Sequence, residues 1–180
     1  MGRALIRAAV PSDVPVLLQL VRELAAYERE PDAVEATVVD LHRALFEEHT
    51  ASCHVAQDDD GGVVGFALWY VTFSTWKGRP GLWLEDLFVR PSARGSGLGT
   101  ALLRALAAVC LERGYPRFEW WVLDWNASAI GFYRSLGAVP QEEWTTFRVD
   151  GHALAALGSQ QTATPSAPTR PDVRHVTRPT

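Results

Sequence analysis

The chain has 180 residues, enough for one domain with a real core, and its 47% hydrophobic and 21% charged content is ordinary for a globular protein. A net charge of −4 disfavours nucleic acid as a partner, since nucleic-acid binders carry a basic patch. No apolar run approaches the roughly 18 residues of a membrane span, and "MGRALIRAAVPSD" has neither the apolar centre of a secretory leader nor the Ser/Thr of a myristoylation signal. The expectation is a cytoplasmic protein without a membrane partner.

"ALIRAA" reads as a short strand. Ser12 suits an N-cap, and Val14, Leu17, Leu18, Val21, Leu24 and Ala25 then recur at helical spacing until Pro31. Thr37 and Asp40 form a capping-box pattern ahead of a helix in "LHRALFEEH". "SCHVAQ", "VVGFALWYVTF" and "GLWLEDLFV" read as strands. Leu98, Leu102, Ala105, Leu106 and Val109 form the stripe of a long helix. "RFEWWVLDW" reads as another strand, Asn126 as the cap of a helix to about Leu136, and "EEWTTFRVDG" as a final strand. Together they predict one α/β (α+β) domain over residues 1–157, with a mixed sheet of about six to seven strands and helices on both faces. "GSQQTATPSAPTRPDVRHVTRPT", residues 158–180, has four prolines and little to bury, so it reads as a disordered tail. Three of its arginines face one aspartate, so the domain itself is more acidic than the whole chain. Cys53 and Cys110 each sit in apolar runs and read as buried thiols, not a disulfide or metal pair.

The informative stretch runs from Leu82 to Val109. An apolar strand is followed by Arg94, Gly95, Gly97 and Gly99 and at once by a helix. Glycines at a helix start cost stability, so bare backbone must be needed there. A P-loop would require a Lys, and a dinucleotide fingerprint would require Gly-x-Gly-x-x-Gly with a later acidic residue; neither is present. Arg-x-x-Gly-x-Gly remains. Unpaired N–H groups and the positive helix end suit a pyrophosphate, although a ligand-free glycine turn satisfies the same residues.

That motif resembles motif A of the GNAT superfamily of acetyl-CoA-dependent N-acetyltransferases. "ELAAYE", "YVTFSTWKGR", "LEDLFVRPSARGSGLG", "VLDWNASAIGFYRSLGA" and "EEWTTF" are similar, in order, to blocks of the spermidine/spermine N-acetyltransferase family, from Ile6 to about Leu154. "STWKGR" and "VLDWN" resemble its thialysine N-ε-acetyltransferase branch most. The resemblance implies acetyl-CoA as co-substrate, no metal, a small-molecule amine as acceptor and a homodimer. It implies that Arg94, Gly95, Ser96, Gly97, Leu98, Gly99 and Thr100 hold the pyrophosphate. It places the pantetheine arm along Leu87, Phe88 and Val89 and against Asn126, Ala127, Ser128 and Ala129.

Acetyl transfer to an amine needs three things. An ammonium with a pKa near 10 must lose its proton, the carbonyl oxygen needs a hydrogen-bond donor, and the leaving thiolate needs a proton. By resemblance Tyr133 is the general acid and Glu85 receives the amine and takes its proton through water. From the residues alone, Tyr133 reads first as a buried core tyrosine two turns into a helix. Glu85 and Asp86 are adjacent in a strand, so alternation turns them to opposite faces, with Asp86 either substrate-binding or a structural acceptor. The resemblance puts Tyr27 and Glu28 at a distal amine and Trp76 at the acceptor slot. Glu30, Asp32 and Glu35 read as a solvated acidic loop. Polyamine acetyltransferases carry an acidic residue where this chain has Ser74, which shifts the expected acceptor toward a short or lysine-like amine. Lys77 and Arg79 are then candidates to attract a carboxylate. A peptide lysine acetyltransferase and a non-catalytic acyl-CoA sensor are the competing functions.

Overall fold

The structure is a computed structural model that describes residues 5–159. The described residues divide into two compact units, the first ending at Ile130 and the second starting at Gly131.

The first unit is built on a five-stranded sheet in the order β1-β2-β3-β4-β5. The strands are β1 (Leu5–Ala8), β2 (Ser52–Gln57), β3 (Val63–Ser74), β4 (Arg79–Val89) and β5 (Phe118–Trp120). β1 to β4 pair antiparallel as a meander, and β5 adds parallel to β4. A parallel neighbour requires a crossover, which is α3 (Leu98–Arg113). α1 (Val14–Tyr27) packs on one face, where Leu17, Leu20 and Leu24 meet Cys53, Val55, Phe66 and Phe88. Alternation sends Ala67, Trp69, Leu82 and Leu84 to the other face, where Arg113 of α3 lies over Trp69.

Sequence and structure part at several elements. Asp13, not Ser12, organises the start of α1: it accepts the Val10 N–H at 2.8 Å and holds Arg7 at 2.6 and 2.9 Å. The Thr37–Asp40 box does cap α2 (Val38–His42), but Arg43–Glu47 continue as a π turn. The strand expected over "RFEWWVLDW" pairs only at Phe118–Trp120. "EEWTTFRVDG" forms no strand, so among the described residues the sheet has five strands, not six or seven. Apolar alternation gives a segment the capacity to be a strand, but a strand also needs a partner edge. Here Trp144 and Phe147 are instead 73% and 90% exposed. The second unit also contains α5 (Gly151–Ser159), a helix the sequence reading lacked. It runs two residues beyond the expected domain end at 157; the rest of the expected tail, 160–180, lies outside the described residues. Both cysteines are free and buried, and burial pushes the Cys53 thiol up to about 12.

On the α3 face, Trp69 Nε1–H donates to His54 Nδ1 at 3.2 Å. An indole N–H can only donate, so Nδ1 must be unprotonated. Burial, and then Arg113, hold His54 below its ordinary value, so the fold favours the neutral ring. Its contribution to stability is therefore complete above about pH 6.5 and is lost as pH falls below that. Asp86 works in the opposite sense: with its carboxyl pushed up to about 6, it stabilises at low pH and loses that contribution as pH rises. We expect the urea midpoint of wild type to fall relative to that of His54→Gln as pH drops from 7.5 to 5. Parallel pH curves for the two proteins would show that the ring is not held neutral.

Candidate active site

The glycine loop lies between β4 and α3. Pro91–Ala93 form a 3-10 turn, and the Ser96 hydroxyl donates to the Ala93 carbonyl at 2.6 Å. Gly95 and Gly97 have φ of +79° and +87°, the left-handed region that favours glycine. A Cβ at either position would meet nothing within 4 Å, so the space over the loop is open. Ala101 N–H donates to the Gly97 carbonyl at 2.9 Å, the first bond of α3. The N–H groups of Leu98, Gly99 and Thr100 therefore point out of the helix end. With its positive dipole and the bare backbone at Gly95 and Gly97, this cradle fits a pyrophosphate. Arg94 is engaged elsewhere. Its Nε donates to the Val89 carbonyl at 2.9 Å, and its guanidinium lies 4.8 Å from the Tyr27 ring and 5.7 Å from that of Phe88.

β4 meets β5 only over Leu82–Leu84. Beyond that, the edge carrying Leu87, Phe88 and Val89 has no β5 partner and can accept an extended ligand arm, with the Val89 carbonyl already taken by Arg94.

The register of β3 against β4 slips at one place. Leu68 faces Asp86 and Trp69 faces Leu84, which leaves Glu85 as an extra, bulged residue. Such a bulge re-aims a side chain. The expectation that Glu85 and Asp86 point to opposite faces is thereby corrected. Asp86 stands opposite Leu68 on the α1 face, and Glu85 accepts from Trp83 Nε1 at 3.2 Å on that same side. Burial, then Glu85, then Glu28 push the Asp86 carboxyl up to about 6. Burial also pushes Glu28 upward. Asp86 thus feels both Glu85 at the bulge and Glu28 at the end of α1. An aromatic wall flanks them. Tyr70 faces Trp83 across the hairpin, and Trp121 meets Trp83 edge-on at 4.8 Å. Burial, and then the Glu85 carboxylate, raise the Tyr70 phenol. Tyr70, Trp83 and Trp121 were missed from the sequence. Counting back from the four-residue turn Thr75–Gly78 would have placed Tyr70 opposite Trp83.

The end of α1 meets the segment before α4 (Ala127–Ser135). Asn126 caps α4, its Oδ1 accepting the Ala129 N–H at 3.1 Å. Tyr27 donates to the same Oδ1 at 3.4 Å and packs on Trp125 with ring centroids 6.1 Å apart. Tyr27 thus links the Asn126 cap to Arg94 of the glycine loop. α1 ends in a Schellman motif, with Glu30 N–H donating to Ala25 O at 2.9 Å and Arg29 N–H to Ala26 O at 3.2 Å. Arg29 occupies the left-handed position of that motif, φ +70°, where a non-glycine residue costs roughly 1–2 kcal/mol. Its guanidinium lies 4.8 Å from the Trp125 ring centre.

Other predicted residues lie on the β3–β4 turn or belong to the second unit. Ser74 accepts the Lys77 N–H at 3.3 Å and so helps close the β3–β4 turn, where Trp76 is 83% exposed. Lys77 and Arg79 are exposed at that turn. Tyr133 belongs to the second unit, on α4 beside Phe132, ring centroids 5.4 Å apart. A cavity of about 520 Å³, lined by Val139 to Trp144, also lies in the second unit and includes none of the residues named for the site. Among the described residues, no group of three or more His, Cys, Asp or Glu could hold a metal, and no helix is long and apolar enough to cross a membrane.

A glycine cradle at a helix start, beside a bulged and half-unpaired strand, defines an acyltransferase scaffold. The chain belongs to the acetyltransferase (GNAT) family, whose profile matches residues 17–138. It is 36% identical to the thialysine N-epsilon-acetyltransferase of Sus scrofa, over 89% of this chain and 100% of that protein. It is 29% identical to the L-ornithine N5-acetyltransferase of Arabidopsis thaliana, over 84% of this chain and 86% of that one. Among solved structures, an integron cassette protein from V. cholerae superposes with a TM-score of 0.73 at 30% identity, covering 86% of this chain and 97% of the other. The protein is therefore an enzyme that transfers acetyl groups to amines.

Proposed function

We propose that this enzyme carries the acetyl group of acetyl-CoA directly to a primary amine of a small diamine, polyamine or thialysine-like amino acid. The observation that carries this reading is the bulge at Glu85. It gathers Glu85 and Asp86 on one side of the sheet, beside the Tyr70–Trp83–Trp121 wall, with Asp86 feeling the charge of Glu28. Anionic groups backed by aromatic faces suit an ammonium-bearing chain. The unpaired edge of β4 begins at the same bulge, which brings the thioester arm to the amine.

Glu85 receives the reacting ammonium, and its proton leaves through water. The amine nitrogen then bonds to the acetyl carbon as the carbon–sulfur bond breaks. Tyr133 supplies a proton to the departing thiolate. Asp86 and Glu28 bind positive charge further along the acceptor. The names of the relatives, thialysine and L-ornithine acetyltransferases, agree with an acceptor of this size.

The test is thiol release from acetyl-CoA by the full chain, with a panel of thialysine, lysine, ornithine, putrescine, spermidine, spermine and a lysine-containing peptide. Turnover of small amines with saturable KM is the expected result. Turnover of the peptide alone would make it a peptide acetyltransferase. Acetyl-CoA binding without turnover of any acceptor would make it a sensor. Either outcome overturns the reading.

A further inference from the structure

We infer that Arg29 is the acceptor-specificity residue of this site and binds the carboxylate of an amino-acid acceptor, while Glu28 beside it binds the α-ammonium. The inference rests on the acceptor reading above and deepens it.

The first observation is where Arg29 sits. It holds the left-handed position of the motif that ends α1, a place where glycine is the unstrained choice. A large side chain there has no justification in the helix stop itself. The second observation is what the side chain does. Its guanidinium is laid against the Trp125 ring, 4.8 Å from the centre, and both residues are exposed. Among the described residues it has no carboxylate partner. A ring is not a hydrogen-bond acceptor for the whole fork, so a cation–π contact leaves guanidinium N–H donors unpaired. The in-plane N–H donors remain available, and their fork matches a carboxylate. Trp125 therefore holds Arg29 in place without satisfying its N–H donors.

The third observation is its neighbours. Asp86, on the bulged strand, feels the charge of Glu85 beside it and of Glu28, which is adjacent to Arg29 in sequence. The line Glu85, Asp86, Glu28 leads from the reacting amine to the end of α1. A diamine offers only ammonium groups to that line, and Arg29 at its end repels them. A lysine-like acceptor offers an ammonium and a carboxylate on one carbon, which adjacent Glu28 and Arg29 complement. Lys77 and Arg79, the cations suggested by the sequence, lie exposed on the β3–β4 turn.

The experiment compares acceptors that differ only in the carboxylate: lysine with cadaverine, and ornithine with putrescine. Three proteins are assayed by thiol release: wild type, Arg29→Gly and Arg29→Lys. Wild type should prefer the amino acid of each pair. In Arg29→Gly, kcat/KM for the amino acids should fall by roughly 10- to 150-fold, the range for a charge-assisted contact. The loss should lie mainly in KM, and the diamines should lose far less, so the preference collapses. Arg29→Lys should retain part of it. Because glycine relieves the backbone, Arg29→Gly should melt no lower than wild type, so the loss cannot be ascribed to unfolding. If both members of each pair fall together in Arg29→Gly, the residue only staples α1 to the Trp125 segment and the inference is overturned. If wild type favours the diamines, it is overturned as well. If wild type turns over neither pair, the small-amine reading fails first and takes the inference with it, a result distinct from a failure at Arg29.

Discussion

Gly97→Glu is expected to abolish acetyl-CoA binding while the protein stays folded. Gly97 has φ +87°, so any side chain there costs roughly 1–2 kcal/mol of backbone strain. That is a fraction of the 5–15 kcal/mol that usually holds a domain together. The damage to binding is of a different order. A Cβ at residue 97 meets nothing within 4 Å, so the glutamate extends into the open space over the cradle. Its carboxylate then stands against the N–H groups of Leu98, Gly99 and Thr100 and neutralises the positive helix end that an anion needs. Gly97→Ala separates the effects: it carries the same strain without charge or length and should weaken binding only modestly. Calorimetric titration with acetyl-CoA and a thermal melt on both variants measure this. Unchanged affinity in Gly97→Glu would place the cofactor elsewhere.

Glu85→Gln should lower kcat/KM by roughly 10²- to 10⁴-fold, the usual range for a general base. The substitution is nearly isosteric, and an amide oxygen can still accept from Trp83 Nε1, so the bulge and the aromatic wall are preserved. What is lost is the negative charge that receives the ammonium and the basicity that removes its proton. Acetyl-CoA affinity should be unchanged, because the cradle lies beyond the end of β4. Asp86→Asn is the necessary comparison, since the bulge turns both carboxylates to one side. A larger fall in Asp86→Asn than in Glu85→Gln would transfer the role of base to Asp86.

What the sequence determined by itself is what depends on chemistry carried by consecutive residues. The glycines at 95, 97 and 99 stand out because glycines at a helix start are otherwise unfavourable. Thr37 with Asp40, and Asn126, announce caps because a short polar side chain reaches only its own helix end. α1 and α3 follow from apolar spacing at 3.6 residues. These features are local, so the chain order contains them.

Tertiary structure decided what depends on partners. The segment from Trp144 to Asp150 has strand-like alternation and yet no strand partner, and "RFEWWVLDW" pairs for only three residues, because pairing is a property of two segments. The bulge at Glu85 is the sharpest case. Strict alternation separates Glu85 from Asp86, but the register of β4 against β3 inserts one extra residue and brings both to the α1 face. Nothing in "LWLEDLFV" alone reveals that slip; it arises from how two strands fit over opposing cores. The same holds for Arg29. In sequence it is one basic residue in an acidic loop, and only the end of α1 meeting Trp125, nearly a hundred positions away, sets its guanidinium 4.8 Å from that ring.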